Sequence, residues 1–275
     1  MCRAFGVSRS GYYGWLNRAP SKRSVENQLL REAIRSVYEQ SKKRSGSPKI
    51  TVELKDKGLY ASRPRVARIM RQMGIRSIIS KAFKVSTTDS SHDYRISKNL
   101  LARDFTASQK SQKWVSDITY VRTGEGWLYL SIIMDLYDRK IIGWSMSEQL
   151  DAESTVISAL NMAIGNRPLS TSRLIFHSDR GVQYACHGFR ECLRQHSIVQ
   201  SMSRKGDCWD NAVAESFFKI IKSELIDHHD YSTKRQARVA IFEFIEVWYN
   251  KKRKHSYLNY VTPEQFGEIN PQLAA

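Results

Sequence analysis

Three amphipathic helices are predicted in the first part of the chain from the spacing of its apolar residues. These helices cover about residues 25–40, 49–57 and 62–73. At the start of the third, Ser62 provides an N-cap, and Pro64 fits the first turn, where its missing N–H is not needed. A short helix, a turn and a capped helix predict an all-α domain of the helix-turn-helix type.

The third helix has two chemically different faces. Its apolar residues follow an i, i+3, i+4, i+7 pattern and are Val66, Ile69, Met70 and Met73. At about 100° per residue, Arg65, Arg68 and Arg71 fall on the opposite side. An arginine face on the last helix of such a unit predicts contact with a DNA major groove. The alternative is an ordinary amphipathic helix with a solvated basic face.

From residue 109 the pattern changes to β-rich runs separated by turns and helical stretches. Strands are predicted at 114–121, 126–135, 140–147, 173–177 and 198–202. Helices are predicted at 152–165, 181–196, 211–225 and 233–249. Three consecutive strands followed by alternating units predict an α/β core in which helices flank a mixed five-stranded sheet.

The stretch between the two patterned regions, 77–108, has no periodicity and is predicted to be a basic linker. Its centre, 86–92, is polar and typical of a flexible segment. Basic residues on both sides allow the linker to lie along DNA, and they are Lys81, Lys84, Arg95, Lys98 and Arg103. The predicted domains are a helical tail at 1–20, a helix-turn-helix at 21–76, this linker, and an α/β core at 109–270.

The positive charge is concentrated in the first part of the chain. The formal net charge is +17, and residues 1–108 contain 23 Lys/Arg and 8 Asp/Glu, a net of +15. The remaining 167 residues therefore carry only +2. This asymmetry favours a nucleic-acid-binding module joined to a catalytic module. The alternative is a solvated basic surface that aids solubility.

Several protein classes are excluded by the composition. No run of about 18 apolar residues predicts a transmembrane helix, and the first 15 residues lack the apolar region of a signal peptide. The four cysteines form no C-x-x-C pair and no zinc-finger spacing. This pattern is typical of a reduced, cytoplasmic protein.

Three acidic residues lie in or beside apolar elements of the predicted core. Asp117 falls in the first strand, Asp179 at the end of the fourth, and Glu215 in the helix after the fifth. An unpaired charge is costly in such surroundings, and neighbouring carboxylates raise one another's pKa. Hard divalent cations remove this conflict, and Mg²⁺ is common where phosphates are handled. The acids together predict a metal-dependent enzyme acting on a phosphate backbone, although each alone suits an exposed or salt-bridged carboxylate.

Residues next to these acids have two possible roles each. His177 either contacts DNA or orders the end of its strand, and Arg180 either binds phosphate or pairs with an acid. Asp210 and Asn211 are predicted N-caps for the helix that carries Glu215.

Further basic residues are candidates for DNA contact. Arg204 and Lys205 lie in a basic, glycine-containing loop just before the Glu215 helix. This loop is suited to hold a DNA strand, and the alternative is a solvated loop. Lys219 and Lys222 share a helix face with Glu215 and are predicted to contact phosphate. Arg253, in the basic run 249–255, is predicted to bind DNA or to cap the last helix.

The order of elements resembles the ribonuclease-H-like core of retroviral integrases and bacterial insertion-sequence transposases. Between Asp179 and Glu215 lie 35 residues (215 − 179 − 1), the spacing of the D-D-35-E triad of those proteins. Blocks resembling OrfB-type transposases occur in order as WVSDITYV, DLYDRKIIGW, HSDRGVQY, SMSRKGDCWDNAVAESFF and YNKKRKHSYLNYVTPEQF. The upstream segment RVARIMRQMGI is similar to their helix-turn-helix.

The resemblance implies DNA cleavage and strand transfer without a covalent enzyme intermediate. It assigns Asp117, Asp179 and Glu215 as ligands of two Mg²⁺ ions, or of Mn²⁺ in substitution. It also implies element terminal repeats and target DNA as partners, a homo-oligomer on DNA, and location in the bacterial cytoplasm at the nucleoid.

Two departures and two alternatives accompany the resemblance. Nothing in the chain matches the His-His-Cys-Cys zinc module of retroviral integrases, so DNA-end recognition is assigned to the helical basic segment. The short start suggests a possible upstream-frame protein of the same element as fusion partner. The alternatives in function are a ribonuclease-H-like nuclease that cuts without joining, and a non-catalytic DNA-binding repressor.

Overall fold

The fold was obtained as a computed structural model that describes residues 2–79, 94–169 and 173–269. The chain divides into two compact units, Met1–Ile78 and Ile79–Ala275. Each unit has a hydrophobic core of its own. The first unit is helical and the second contains the sheet.

The first unit is entirely helical. Its helices are α1 (Arg9–Leu16), α2 (Lys22–Gln40), α3 (Ser47–Asp56) and α4 (Arg63–Gln72). Helix α1 has no buried residue, and its start is capped by Ser8, whose Oγ accepts a hydrogen bond from the Gly11 N–H at 3.0 Å. The last three helices confirm the three predicted helical segments, with boundaries that differ by a few residues.

Helices α2, α3 and α4 pack around one small core. The core consists of Leu30, Ile34, Val37, Tyr38, Ile50, Leu54, Val66, Ile69 and Met70. The predicted apolar face of α4 is thus buried, with Met73 partly buried beside it. Ser62 occupies the N-cap position but makes no capping hydrogen bond through its side chain, and Pro64 lies in the first turn.

The second unit is built on a mixed five-stranded sheet. The strands are β1 (Lys113–Thr123), β2 (Gly126–Asp135), β3 (Ile141–Ser147), β4 (Ile175–Ser178) and β5 (Val199–Met202). Their order across the sheet is β3-β2-β1-β4-β5. The first three strands pair antiparallel, whereas β4 pairs parallel with both β1 and β5. This arrangement confirms the predicted fold class, a ribonuclease-H-like α/β core.

Helices cover both faces of this sheet. They are α5 (Ser158–Asn166), α6 (Val182–Ala185), α7 (His187–Gln195), α8 (Ala212–Glu224), α9 (Lys234–Phe242) and α10 (Pro263–Ile269). A π-helical turn precedes α5, and another continues α9 to Tyr249. The helix predicted at 181–196 is broken in two, because Cys186 adopts an extended backbone conformation (φ −63°, ψ 156°). Within the described residues no helix is long and apolar enough to cross a membrane.

The two sides of strand β1 pack against different helices. Val115 and Val121 pack in a core shared with α8 and α9. Trp114 packs in a second core shared with α5 and α7. Because alternate residues of a strand point to the same face, Asp117 lies on the side of the sheet covered by α8. The alternation therefore brings the first acid to the helix that carries Glu215.

The predicted linker at 77–108 is corrected by the structure over its last part. Ser97 donates a hydrogen bond to Gln200 Oε1 at 2.8 Å, and the Leu100 N–H donates to Ser201 Oγ at 2.9 Å. Leu101 is buried in the core of the second unit. Residues 97–101 thus lie against β5, an edge strand that needs cover, and belong to the second unit. Lys81 and Lys84 of the predicted linker lie outside the described residues.

Candidate active site

The sheet register brings Asp117 and Asp179 to neighbouring positions. Val115 of β1 is paired with His177 of β4 in a parallel ladder, and each acid lies two residues beyond its member of this pair. Glu215 lies in the first turn of α8, the helix on the same side of the sheet as Asp117. The three elements predicted to carry the acids therefore meet at one place.

The electrostatic environment of Asp117 includes the other two acids. Burial of its carboxyl group raises the pKa of Asp117 well above the usual value, and the nearby charges of Asp179 and Glu215 raise it further. Two groups act in the opposite direction and lower the pKa, namely the Ile118 N–H, which donates to Asp117 Oδ1 at 2.8 Å, and the charge of Lys222. The charges of Asp179 and Glu215 thus destabilise the charged form of Asp117.

A close turn after β4 holds Asp179. The Gly181 N–H donates to Asp179 Oδ1 at 3.0 Å, and a Cβ added at Gly181 would lie only 3.1 Å from the same oxygen. Close approach, rather than a left-handed backbone, therefore accounts for the glycine at this turn.

Tyr184 is a residue of this site that the sequence analysis missed. Its hydroxyl hydrogen-bonds with Ser116 Oγ at 2.8 Å, next to Asp117, and its side chain is fully buried. Burial raises the pKa of Tyr184 well above 10, and the charges of Asp117 and Asp179 raise it further. Its position in the block HSDRGVQY was the only available signal.

The donor chemistry of the site fits a hard divalent cation. Asp117, Asp179 and Glu215 offer oxygen ligands, and their mutual repulsion, which raises the pKa of Asp117, is what a bound cation would relieve. Within the described ranges, no set of three histidine, cysteine or acidic side chains lies close enough together to surround one ion. The fit therefore rests on the type and charge of the ligands.

His177 is a structural residue, which corrects the prediction that it contacts DNA. The side chain is completely buried. Its Nδ1 hydrogen-bonds with Ser201 Oγ at 2.8 Å, and its Nε2 with Ser203 Oγ at 3.2 Å. Burial lowers its pKa to about 4, so the ring is neutral at neutral pH. His177 therefore ties β4 to β5, as the alternative interpretation proposed.

The basic loop before α8 is held by internal contacts. Arg180 donates from Nε to the Ser203 carbonyl oxygen at 2.7 Å. Arg204 binds both carboxylate oxygens of Asp210, from Nε at 2.9 Å and from Nη2 at 2.8 Å. Lys205 is exposed, and Gly206 has a left-handed backbone (φ +72°). Arg204 consequently orders the loop, whereas Lys205 presents its charge to solvent.

The two lysines of α8 differ in their surroundings. Lys219 is exposed, four residues beyond Glu215. Lys222 is partly buried, and its charge lowers the pKa of Asp117. Lys222 therefore stabilises the charged form of Asp117. Contact of both lysines with phosphate stays a prediction.

Arg253 lies in the interior, which corrects its predicted contact with DNA. Its Nε and Nη2 donate to Glu224 Oε1 at 3.0 and 2.9 Å. Glu224 is fully buried and also accepts a hydrogen bond from Trp248 Nε1 at 3.0 Å. A buried carboxylate requires such a partner, so Arg253 neutralises Glu224 instead of binding phosphate.

The three arginines of α4 are not equivalent. Arg65 bonds to α2, from Nη2 to Glu26 Oε2 and from Nε to Asn27 Oδ1, both at 3.0 Å. Arg68 and Arg71 are exposed. The structure thus corrects the role of Arg65, which fastens α4 to α2, and leaves Arg68 and Arg71 as the candidates for DNA contact.

The predicted capping of α8 by Asp210 and Asn211 is also corrected. Asn211 occupies the N-cap position, but its side chain makes no capping hydrogen bond. Asp210 lies in the preceding 3-10 turn, Cys208–Asn211, and binds arginines. Both side chains form contacts to distant parts of the unit instead.

Comparison with known sequences identifies both units. Residues 24–83 match an HTH-like domain. Residues 107–208 and 196–263 each match an integrase core domain. The chain is 39% identical over 276 residues to the insertion element IS600 uncharacterized 31 kDa protein of Shigella sonnei, covering 100% of both chains. It is also 39% identical to the transposase InsF for insertion sequence IS3A of Escherichia coli K12, covering 98% of this chain and 93% of that protein.

Similar solved structures include two viral integrase assemblies. One is a simian T-cell lymphotropic virus intasome in complex with PP2A regulatory subunit B56 gamma, at 15% identity and a TM-score of 0.49, covering 86% of this chain and 75% of that chain. The other is the HTLV-2 integrase catalytic core domain in complex with magnesium, at 18% identity and a TM-score of 0.44, covering 59% of this chain and 99% of that chain.

Proposed function

Because the chain belongs to the family of insertion-sequence transposases that carry an integrase core domain, we propose that it cuts the 3′ strands at the ends of its element and joins them to target DNA. The observation that carries this proposal is the electrostatic coupling of Asp117 with Asp179 and Glu215, on three elements that meet at one place. A pure DNA-binding protein has no use for three acids that destabilise one another.

The proposed roles of the acids follow from their charge. Asp117, Asp179 and Glu215 would hold two Mg²⁺ ions, or Mn²⁺ in substitution, through their carboxylate oxygens. When bound, such ions would activate water for cleavage and the freed 3′-hydroxyl for joining, and would stabilise the leaving oxygen. Gly181 and Ile118 hold Asp179 and Asp117 through backbone N–H groups, so their oxygens are oriented before a cation binds.

The basic residues have separate proposed tasks. Lys205, Lys219 and Lys222 would hold the DNA strand beside the acids, and Arg68 and Arg71 would contact the terminal repeat. Joining two element ends at one target requires two active sites, so a homo-oligomer on DNA is expected. An upstream-frame protein of the same element is a further proposed partner.

The function is tested by incubating the protein with a labelled duplex that carries the element's terminal repeat, with Mg²⁺ or with EDTA. Joined products that appear only with Mg²⁺ are the expected result. Cleavage without joining would favour the nuclease, and binding without any reaction would favour the repressor.

Arg68→Ala is expected to weaken binding to the terminal repeat about tenfold, because it removes an exposed charge from the DNA-facing side of α4. Arg35→Ala, which removes an exposed charge from α2, is the matched control and should bind nearly as the wild type does. Titration of a fluorescent duplex at one fixed salt concentration measures both. Equal affinities for the two variants would reject α4 as the recognition helix.

A further inference from the structure

We propose that Asn211 is a positioning residue that fixes the helix carrying Glu215 to the strand carrying Asp117, and that Asp210 secures the same junction from its other side. Together these residues are called the Asp210–Asn211 brace. The inference rests on the proposed metal-binding role of the acids and assigns to two other residues the task of setting the distance between them.

Asn211 links the residue before Asp117 to the start of the helix that carries Glu215. Its Nδ2 donates to the Ser116 carbonyl oxygen at 3.0 Å, and Ser116 precedes Asp117 in β1. Asn211 lies four residues, about one helical turn, before Glu215. One buried hydrogen bond therefore links β1 beside Asp117 to α8 beside Glu215.

The side chain of Asn211 makes this link instead of a local one. Asparagine at an N-cap normally accepts a hydrogen bond from the first turn of its own helix, but here no such bond is formed. The side chain is buried, and among the described residues its Oδ1 has no hydrogen-bond partner. Leaving a buried acceptor unsatisfied is unfavourable, which indicates that the orientation is dictated by the bond to Ser116.

Asp210 holds the same junction through charge. It is fully buried, and its Oδ2 accepts hydrogen bonds from Asn99 Nδ2 at 2.8 Å and from the Arg204 N–H at 2.9 Å. Its Oδ1 accepts from Arg103 Nε at 2.9 Å and from Arg204 Nη2 at 2.8 Å. The pKa of Asp210 lies well below its usual range, mainly because Arg204 donates hydrogen bonds to its carboxylate.

These contacts fix the start of α8 on two sides. Asn211 fastens it to β1, while Asp210 fastens it to segment 99–103 and to the basic loop that begins at Arg204. Asp207, in the same loop, also pairs with Arg103 and Arg204. With the brace removed, the first turn of α8 is free to shift, so Glu215 no longer approaches Asp117 in the arrangement that a cation requires.

The inference is tested with Asn211→Ala in the full-length protein, using titration calorimetry with Mn²⁺ and with Mg²⁺ in the absence of DNA. The expected result is an affinity at least about tenfold weaker than that of the wild type, the usual scale for residues that orient metal ligands. Cleavage assays should show a lower kcat with little change in the KM for DNA.

The matched control is Asn166→Ala. Asn166 also donates from Nδ2 to a strand carbonyl, that of Ile142 at 2.9 Å, but on β3 at the far edge of the sheet. Asn166 is exposed whereas Asn211 is buried, so Asn166→Ala should lose less thermal stability, and only Asn211→Ala should lose metal affinity. If Asn211→Ala does not fold, Asp210→Asn, which keeps the side-chain shape, provides the same comparison.

The outcomes separate the two proposals. Wild-type affinity in Asn211→Ala, or an equal loss in Asn166→Ala, would overturn the brace while leaving the metal site intact. Absence of cation binding by the wild type would overturn the metal site itself, and the brace with it.

Discussion

Asp117→Asn is expected to abolish strand cleavage and joining while leaving DNA binding intact. The change removes the charge of one proposed metal ligand at the centre of the three acids, yet keeps the shape of the side chain. Metal ions in such sites contribute several kcal/mol to transition-state stabilisation, so a loss of about 10³-fold or more is expected. The binding residues proposed on α4 belong to the other unit and are not altered.

Two quantities are measured: the yield of cleaved and joined strands from a labelled terminal-repeat duplex with Mg²⁺, and the affinity of the protein for the same duplex. Asp227→Asn removes an exposed carboxylate outside the three acids and is the matched control. Joining at more than a few per cent of the wild-type rate in Asp117→Asn would remove Asp117 from the proposed metal site.

The same variant has an expected effect on stability without metal. Because the pKa of Asp117 is raised in the folded protein, its ionisation destabilises the fold as pH rises above the usual carboxyl value. Asparagine removes this cost and still accepts the hydrogen bond from the Ile118 N–H. In EDTA, Asp117→Asn should therefore unfold at an equal or higher temperature at pH 7, with the gain shrinking towards pH 4. A clear decrease at pH 7 would contradict this account.

Much of the sheet was predictable, because each strand is a local run of apolar and β-favouring residues bounded by turns. The predicted bounds of β2, 126–135, match the structure, since a nearly continuous apolar run follows a glycine turn and is buried for most of its length. The predicted bounds of β1 and β4, 114–121 and 173–177, differ from the structure by at most two residues at each end, and they place Asp117 within β1 and Asp179 just after β4. The meeting of the acids then follows from the parallel pairing of these two strands.

The roles of the charged residues were less predictable, because their partners lie far away in the sequence. Arg253 binds Glu224, 29 positions away, and Arg65 binds Glu26, 39 positions away. A basic run and a basic helix face look alike whether their charges face DNA or a carboxylate of the same chain. Only the tertiary structure distinguishes the two cases, which is why the ion pairs with Glu224 and Glu26 corrected Arg253 and Arg65, whereas Arg68 stays a candidate.

Arg167 is the centre of a buried charge cluster that does not include the three acids. Its Nη1 donates to Asp135 Oδ2 and its Nη2 to Asp138 Oδ2, both at 2.7 Å. Both aspartates are fully buried, and Asp135 also accepts hydrogen bonds from the Ser111 N–H and from Trp114 Nε1. Burial raises the pKa of Asp135, and the charge of Arg167 acts in the opposite direction.

Arg167→Met is expected to lower the free energy of unfolding by about 3–5 kcal/mol, because it leaves two buried carboxylates without their cation. Urea denaturation at pH 7 measures this loss, and Arg173→Met, which removes an exposed arginine, is the control and should change stability little. The triple variant Arg167→Met, Asp135→Asn, Asp138→Asn should recover part of the loss, since no buried charge then remains unpaired. A loss below about 1 kcal/mol in Arg167→Met would contradict the dependence of the two aspartates on Arg167.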